Sequence, residues 1–307
     1  MKILITGGTG FIGQYLYSHL SSNKENDIYI SSRKKVGDIY IKYNNYEELK
    51  NILESYKFDK IFHLTAQSSV SLSWKIPFET LYDNINDTIN LLNAVTKIQN
   101  YQPKILLAST AEIYAVQNEA MTEDSPLGPR NPYAYSKLVT DYFVTGISKD
   151  FNLNTVLARL FNTMGPGQTD VFVISSFAKQ LAEIKLKLRE NTIFVGNLAI
   201  FRDFIDVRDV VRAYDMISNE ESFGEVYNIC SGKPYKISDI LDTLVKISGL
   251  SVNIELDKNR LRKTDIPIFY GSYEKINKKF GWKPQIPMEQ TLEDMYNWWI
   301  DNLRGNG

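Results

Sequence analysis

Short apolar runs alternate with amphipathic stretches along the first half of the chain. Lys2 to Thr6 has the length and branched content of a buried strand, and Phe11 to Leu20 carries apolar residues at helical spacing before Ser21-Ser22-Asn23. The alternation recurs: Asp27 to Ser31 predicts a strand, Tyr46 to Tyr56 a helix, and Lys60 to Thr65 a third strand. Residues 80–99 predict a long helix with Leu81, Ile85, Ile89, Leu92 and Val95 near one face, which could meet a second subunit as well as the sheet. Lys104 to Ala108 is a further strand, and a second long helix starts at Tyr133. Strands separated by helices predict an α/β fold with a doubly wound parallel sheet. The second half is less regular. A helix over Val171 to Arg189, a strand near Ile193 to Val195 and a helix over Ile237 to Ile247 suggest a smaller, discontinuous α+β lobe. The final helix, Met288 to Ile300, sets Leu292, Met295 and Trp299 on one side for core packing. Arg202 to Val207 and Glu225 to Ile229 read as short strands beside the main sheet, joined by a helix over Asp209 to Ser218.

The turn after the first strand, Gly7-Gly8-Thr9-Gly10-Phe11-Ile12-Gly13, has its glycines where a dinucleotide needs them. The first makes the turn, the second lets a pyrophosphate approach bare backbone, and the third lets helix and strand pack closely. The sheet is therefore expected to be Rossmann-type. On this reading residues 1–165, completed by about 199–232, bind the dinucleotide, and 166–198 with 233–307 form a substrate lobe. A carboxylate at the end of the second strand would favour NAD(H). The chain instead has Ser31-Ser32-Arg33-Lys34-Lys35 there, and an arginine suits the 2′-phosphate of NADP(H). NAD(H) stays possible.

Composition narrows the rest. The 307 residues carry a formal net charge of −1, which suggests neither a nucleic-acid nor an anionic-membrane surface. Cys230 is the only cysteine and there are two histidines, so neither a disulfide framework nor a metal site is expected. His63, between Phe62 and Leu64, is expected to be a packed structural histidine. No apolar run approaches a membrane span, and the chain starts in a strand without a signal-peptide pattern, so a cytoplasmic protein is expected.

The polar cluster Ser109-Thr110-Ala111-Glu112 leaves the carboxyl end of a buried strand, where ligands collect in open α/β sheets. After a loop rich in Pro, Asn and Gly comes Tyr133-Ala134-Tyr135-Ser136-Lys137. Tyr133 and Lys137 are one helical turn apart, and an ammonium beside the phenol would bring its pKa toward neutrality, making a general acid and base.

With these residues in hand the chain resembles the extended short-chain dehydrogenase/reductase family, its nucleotide-sugar branch. Further matches are His63-Leu64-Thr65-Ala66, Arg159 to Asn162, Gly165 to Gln168, Phe201 to Val207 with Asp209-Val210-Val211, and Gly281 to Pro284. Phe161 to Gln168, Phe177 to Gln180, Val195 to Leu198 and Arg262 to Pro267 look most like the GDP-6-deoxy-4-keto-mannose reductases, relatives of the GDP-mannose 4,6-dehydratases. The resemblance implies a catalytic Tyr133 with Lys137, assisted by Thr110, and Glu112 in the place of a dehydratase acid/base. It implies NADP(H) held by Gly7, Thr9, Gly10, Phe11, Ile12, Ser32, Arg33, Leu64, Ala66 and Leu160 with Tyr133 and Lys137. A nucleotide-diphosphate sugar would be bound by Ser109, Thr110, Asn162, Arg202 and Arg262. It also implies a homodimer through the helices around 80–99 and 132–149, with Leu138, Val139, Tyr142 and Phe143 apolar on the second.

The reaction expected is NADPH-dependent reduction of the 4-keto group of a nucleotide-activated 4-keto-6-deoxyhexose, with GDP-4-keto-6-deoxy-D-mannose going to GDP-D-rhamnose as the leading case. A dTDP-linked reductase of the dTDP-fucose type and a GDP-mannose 4,6-dehydratase are the enzymatic alternatives. Ala111, where a dehydratase has Asp or Ser, weighs against the second. A non-catalytic NADP(H) or nucleotide-sugar sensor is the alternative of another class, opposed by an intact Thr110, Tyr133 and Lys137.

Overall fold

A computed structural model describes residues 1–32, 37–43, 45–261 and 266–305. The chain opens as β1 (Lys2–Thr6), α1 (Phe11–Leu20), β2 (Asp27–Ser32), β3 (Ile39–Tyr40), α2 (Tyr46–Tyr56) and β4 (Lys60–His63). A single-turn α3 (Val70–Ser73) and the long α4 (Pro77–Thr96) lead to β5 (Lys104–Thr110), α5 (Pro132–Ile147) and β6 (Thr155–Leu160). With β10 (Phe223–Ile229) these strands form one seven-stranded parallel sheet in the order β10-β6-β5-β4-β1-β2-β3. Alternating side chains feed two cores, as a doubly wound sheet requires. Ile3 and Ile5 pack with Leu16, Val210 and Tyr214 on one face. Leu4 and Ile61 pack with Leu49, Leu91 and Val144 on the other. The neighbours β1 and β4 run to opposite sides of the sheet in chain order, so the crevice for a ligand opens at their carboxyl ends.

The chain then continues as β7 (Asn162–Met164), α6 (Val173–Lys185), β8 (Thr192–Val195), β9 (Phe201–Asp206), α7 (Val207–Ile217), β10 (Phe223–Ile229) and β11 (Pro234–Lys236). It ends with α8 (Ile237–Ser248), β12 (Asn253–Leu256), β13 (Ile268–Phe269), α9 (Glu274–Phe280) and α10 (Met288–Gly305). The helices α6, α8 and α10 enclose a separate core of Phe177, Leu181, Ile193, Leu241, Leu244, Leu292, Met295 and Trp299. The apolar side of the last helix is core packing, as its spacing predicts.

Two placements differ from the sequence expectation. Strand 201–206 does not lie beside the main sheet; it joins a second sheet, pairing with β7, β11 and β13. Its neighbour in sequence, β10, does enter the main sheet, on the edge next to β6. The reason is Asp203. Its buried carboxylate accepts from Ser231 N and Oγ at 2.8 and 2.7 Å, Gly232 N at 3.0 Å and Gly271 N at 3.2 Å, binding β9 to loops from two later segments. The other difference is at the C-terminal end, where α9 and the buried Trp282 return to the main domain and pack in the core that holds Ile3 and Tyr214.

Candidate active site

The glycine loop has the shape the sequence asks of it. Gly7 has φ +68°, and a Cβ on Gly13 would lie 2.5 Å from the Gly7 carbonyl oxygen and 2.7 Å from Gly8 Cα. Only glycine lets α1 begin this close to β1. Gly10 is the N-cap of α1 and no side chain caps the helix, so first-turn amides face the crevice beside Thr9, Phe11 and Ile12. Bare backbone, helix N-terminus and absent Cβ atoms fit a dinucleotide pyrophosphate. Ser32 is buried at the end of β2. Arg33 and Arg262 lie outside the described residues. One acid returns to β2 from a place the sequence search did not reach: Asp38 Oδ2 accepts from the Ile30 amide at 2.9 Å.

Leu64 and Ala66 follow β4 at the carboxyl edge, both half-buried. Thr6 Oγ1 fixes this edge, accepting from the amides of Leu64 and Thr65 at 3.1 and 3.3 Å. His63 is buried between Thr6 Oγ1 (3.0 Å) and Thr88 Oγ1 (3.3 Å), a structural histidine as expected. Leu160 ends β6, half-buried, next to the buried Phe161.

Asn131 builds the catalytic corner. Its Oδ1 caps α5 by accepting from the Ala134 amide at 2.8 Å, while its Nδ2 donates to Glu112 Oε2 at 3.1 Å. The start of the tyrosine helix and the orientation of Glu112 are therefore set by one side chain. Thr110, at the end of β5, caps the short turn Ala111–Ile113 by accepting from the Glu112 amide at 3.3 Å. Tyr133 is buried, and the Thr110 hydroxyl is close enough to favour its ionised form. Behind it, Ser136 Oγ donates to the Tyr133 carbonyl at 2.7 Å and accepts from Asn84 Nδ2 at 2.9 Å. Asn84 and Asn131 had no motif to announce them; an N-cap three residues before a helix turn is the one signal that could have pointed to Asn131.

Lys137 is brought to the same wall, but its effect on Tyr133 differs from the sequence expectation. Its Nζ donates to the Ala108 carbonyl at 2.7 Å. Burial lowers the Lys137 pKa to about 8, with Asp87 and Asp141 opposing the fall. Burial pushes the Tyr133 phenol up to about 12, against the smaller effect of its Thr110 hydrogen bond. Desolvation outweighs any attraction from the lysine, so the phenol keeps its proton at neutral pH.

Ser109 is drawn into the wall of the site. Its Oγ donates to Asp141 Oδ2 at 2.7 Å in a buried network, and Arg159 holds the same carboxylate through Nε and Nη2 at 3.1 and 2.7 Å. Strand alternation turns Ser109 away from the face that carries Thr110, and its hydroxyl supports the wall. Asn162 Nδ2 donates to the Asp203 carbonyl at 2.9 Å. Arg202, on β9, donates from Nη1 to the carbonyls of Phe201 and Ile266, both at 2.7 Å, which braces the strand and fixes the guanidinium. Among the described residues no group of three or more His, Cys, Asp or Glu is placed to hold a metal.

A dinucleotide cradle at the switch point of a doubly wound sheet, with Thr, Tyr and Lys gathered at the end of β5, defines an extended short-chain dehydrogenase/reductase. The sequence matches the GDP-mannose 4,6 dehydratase family over residues 4–295, and the chain belongs to that family. It is 31% identical to a GDP-6-deoxy-D-mannose reductase of Pseudomonas aeruginosa, over 99% of this chain and 98% of that protein. A GDP-6-deoxy-D-talose 4-dehydrogenase of Aggregatibacter actinomycetemcomitans is 30% identical, over 96% of this chain and 97% of the other. The solved structure of RMD from Pseudomonas aeruginosa complexed with NADPH superposes with a TM-score of 0.88 at 31% identity, covering 98% of this chain and 99% of that one.

Proposed function

We propose that the protein reduces the 4-keto group of a nucleotide-activated 4-keto-6-deoxyhexose with NADPH, converting GDP-4-keto-6-deoxy-D-mannose to GDP-D-rhamnose. The observation that carries this reading is the gathering of Thr110, Tyr133 and Lys137 at the carboxyl end of β5, with the buried Ala111 following Thr110. Reduction needs a proton donor at O4, and the phenol of Tyr133 supplies one. NADPH, when bound, supplies the hydride to C4. Tyr133 passes its proton to O4 as charge builds there, Thr110 hydrogen-bonds the same oxygen, and the resulting phenolate is reprotonated from solvent. Lys137 holds the nicotinamide ribose and limits the charge on that phenolate. Gly7, Thr9, Gly10, Phe11, Ile12, Ser32, Leu64, Ala66 and Leu160 bind the dinucleotide, with Arg33 on its 2′-phosphate. Asn162, Arg202 and Arg262 bind the nucleotide diphosphate. Residues 1–165 form the main part of the cofactor domain, and 166–198 with 233–307 supply most of the sugar-nucleotide lobe. The likeness to a GDP-sugar reductase over the full chain, and to a structure holding NADPH, supports the choice.

A 4,6-dehydratase is the second reading, favoured by Glu112 at the edge of the same pocket. Against it stand the buried Ala111 and the hydrogen bond that ties Glu112 Oε2 to Asn131. The deciding experiment supplies NADPH with a panel of GDP-, dTDP- and UDP-linked 4-keto sugars and follows the reduced-nicotinamide absorbance. Consumption with the GDP-linked sugar supports the proposal. A 4-keto product formed from GDP-mannose with catalytic NADP would replace it with the dehydratase.

The unit is a homodimer on this reading. The α4 and α5 helices pack side by side and leave an apolar outer face with Phe78 at 83%, Tyr82 at 64% and Tyr142 at 70% exposure, joined by Tyr135, Val139 and Phe143. The stripe differs from the one drawn from sequence, because Leu92 and Val95 turn into the core. No helix among the described residues is long and apolar enough to cross a membrane.

A further inference from the structure

Arg130 precedes the N-cap Asn131 and has no role in the account above. Its Nη1 is buried and, among the described residues, has no hydrogen-bond partner. Its guanidinium carbon stands 5.8 Å from the centroid of the Phe269 ring. Such a donor normally finds an acceptor, because an unmet buried N–H forfeits its hydration without return. Burial lowers the Arg130 pKa and the Glu112 carboxylate opposes the fall, so a charge of opposite sign is near. One oxygen of that carboxylate is already engaged by Asn131.

The position of Phe269 shows what lies on the other side. In the parallel pairing of β13 with β9, Phe269 is the register partner of Arg202, and its ring packs with Phe161, Tyr114 and Ala111 near the end of β5. Arg130 therefore links the main domain to β13. It starts from the main domain two residues from the helix of Tyr133 and ends against the strand neighbour of Arg202. A hexose whose C4 lies at Tyr133 and whose nucleotide lies toward Arg202 has its anomeric phosphate between them. We propose that Arg130 binds the sugar-bearing phosphate of the nucleotide diphosphate, its free Nη1 donating to a phosphate oxygen while Phe269 holds the guanidinium plane. A fixed fork suits a tetrahedral anion better than a single hydroxyl. The inference rests on the functional reading, since it needs a nucleoside diphosphate in this crevice.

The test is calorimetric titration of the NADP-loaded protein with GDP, GMP and GDP-mannose, with UDP and dTDP as alternatives to the base. Arg130→Met keeps an apolar stem against Phe269 and removes the donor; Arg130→Lys restores the charge without the fork. Arg130→Met is expected to weaken GDP roughly 10- to 100-fold, the scale of one charge-assisted hydrogen bond, with Arg130→Lys between the two. GMP and NADPH affinities should change less than about twofold on the same argument. Equal losses for GMP and GDP, or none for GDP, overturn the assignment. A loss for GDP-mannose but not GDP moves the contact to the hexose and also overturns it. If the unmodified protein binds no nucleoside diphosphate, the functional reading fails and this one with it. Binding by the unmodified protein with an unaffected Arg130→Met variant defeats this inference alone.

Discussion

At the scale of single residues, the reaction hangs on which groups hold protons. Tyr133→Phe removes the donor and leaves the ring that fills the wall, so kcat in the reductase assay should fall roughly 10²–10⁴-fold with little change in nucleotide-sugar affinity. A KM that rises while kcat holds would move the acid elsewhere. Glu112 separates the two enzymatic readings. In a reductase Glu112→Gln keeps an acceptor for Asn131 and a substantial part of the activity, whereas in a dehydratase it removes the C5 base and abolishes turnover. Cofactor choice is argued at the same scale. NADPH should exceed NADH in kcat/KM, and Arg33→Ala should reduce that preference by roughly 1–3 kcal/mol, the worth of a charge-assisted contact. An NADH preference of tenfold or more in the unmodified protein would refute the assignment. Much of this was legible in the chain: Gly7, Gly10, Gly13, Thr110, Tyr133 and Lys137 announce themselves by spacing. The direction of the Tyr133 shift was not, because a helical turn places Lys137 near the phenol but says nothing of the Ala108 carbonyl that takes its ammonium. The buried partner of Ser109 was hidden for a similar reason. Two adjacent hydroxyls look equivalent in sequence, and only the pleat sends one into the Asp141–Arg159 network.

At the scale of elements, Asp203 joins three segments that the sequence leaves far apart, and its energetics can be measured. Burial raises its pKa from 3.8 to about 6, against four hydrogen bonds that favour the carboxylate. A folded-state pKa above the unfolded one means a stabilising contribution that is complete below about pH 4 and lost as pH rises through about 6. The stability of the unmodified protein minus that of Asp203→Asn should therefore decline between pH 4 and 6.5 by up to about 3 kcal/mol and be flat above it. Urea midpoints for both proteins across this range check it. Parallel curves, or a difference that grows with pH, would show that the four donors outweigh desolvation. The same residue explains why elements in the first half were easier to place than those in the second. Strands β1, β2, β4 and β5 fall where the apolar runs predict them, β3 and β6 were not read from the pattern, and the helix over Tyr46 to Tyr56 agrees with the structure at both ends. Strand β9 is buried over most of its length like a main-sheet strand, so its pattern cannot tell which sheet takes it. The choice is made by loops at 231–232 and 271 that close on one carboxylate.

At the scale of the whole molecule, the crevice lies between a sheet that follows chain order and a lobe assembled from pieces, and the fixed side of the site rests on α5. That helix also carries the exposed Tyr135, Val139, Tyr142 and Phe143, so one face presents Tyr133 and Lys137 inward while the other offers apolar surface outward. Covering large aromatic groups at 64–83% exposure on α4 and at 70% on α5 is a favourable step for a second copy bringing the same two helices. A twofold arrangement is the simplest that closes such a face on itself, giving a four-helix contact. Phe78 and Tyr142 are the most exposed of these side chains, so they contribute little to the fold of one subunit and much to the contact. Phe78→Asp combined with Tyr142→Asp should leave the circular dichroism spectrum and NADPH affinity unchanged and shift the protein from dimer to monomer in sedimentation at micromolar concentration. Activity should fall in the monomer as well. With α4 uncovered, the Asn84 bond that supports Ser136 and the Tyr133 carbonyl loses its outer packing. A protein that sediments as a monomer before substitution removes the proposed contact, and a double variant that remains dimeric places the interface on another face.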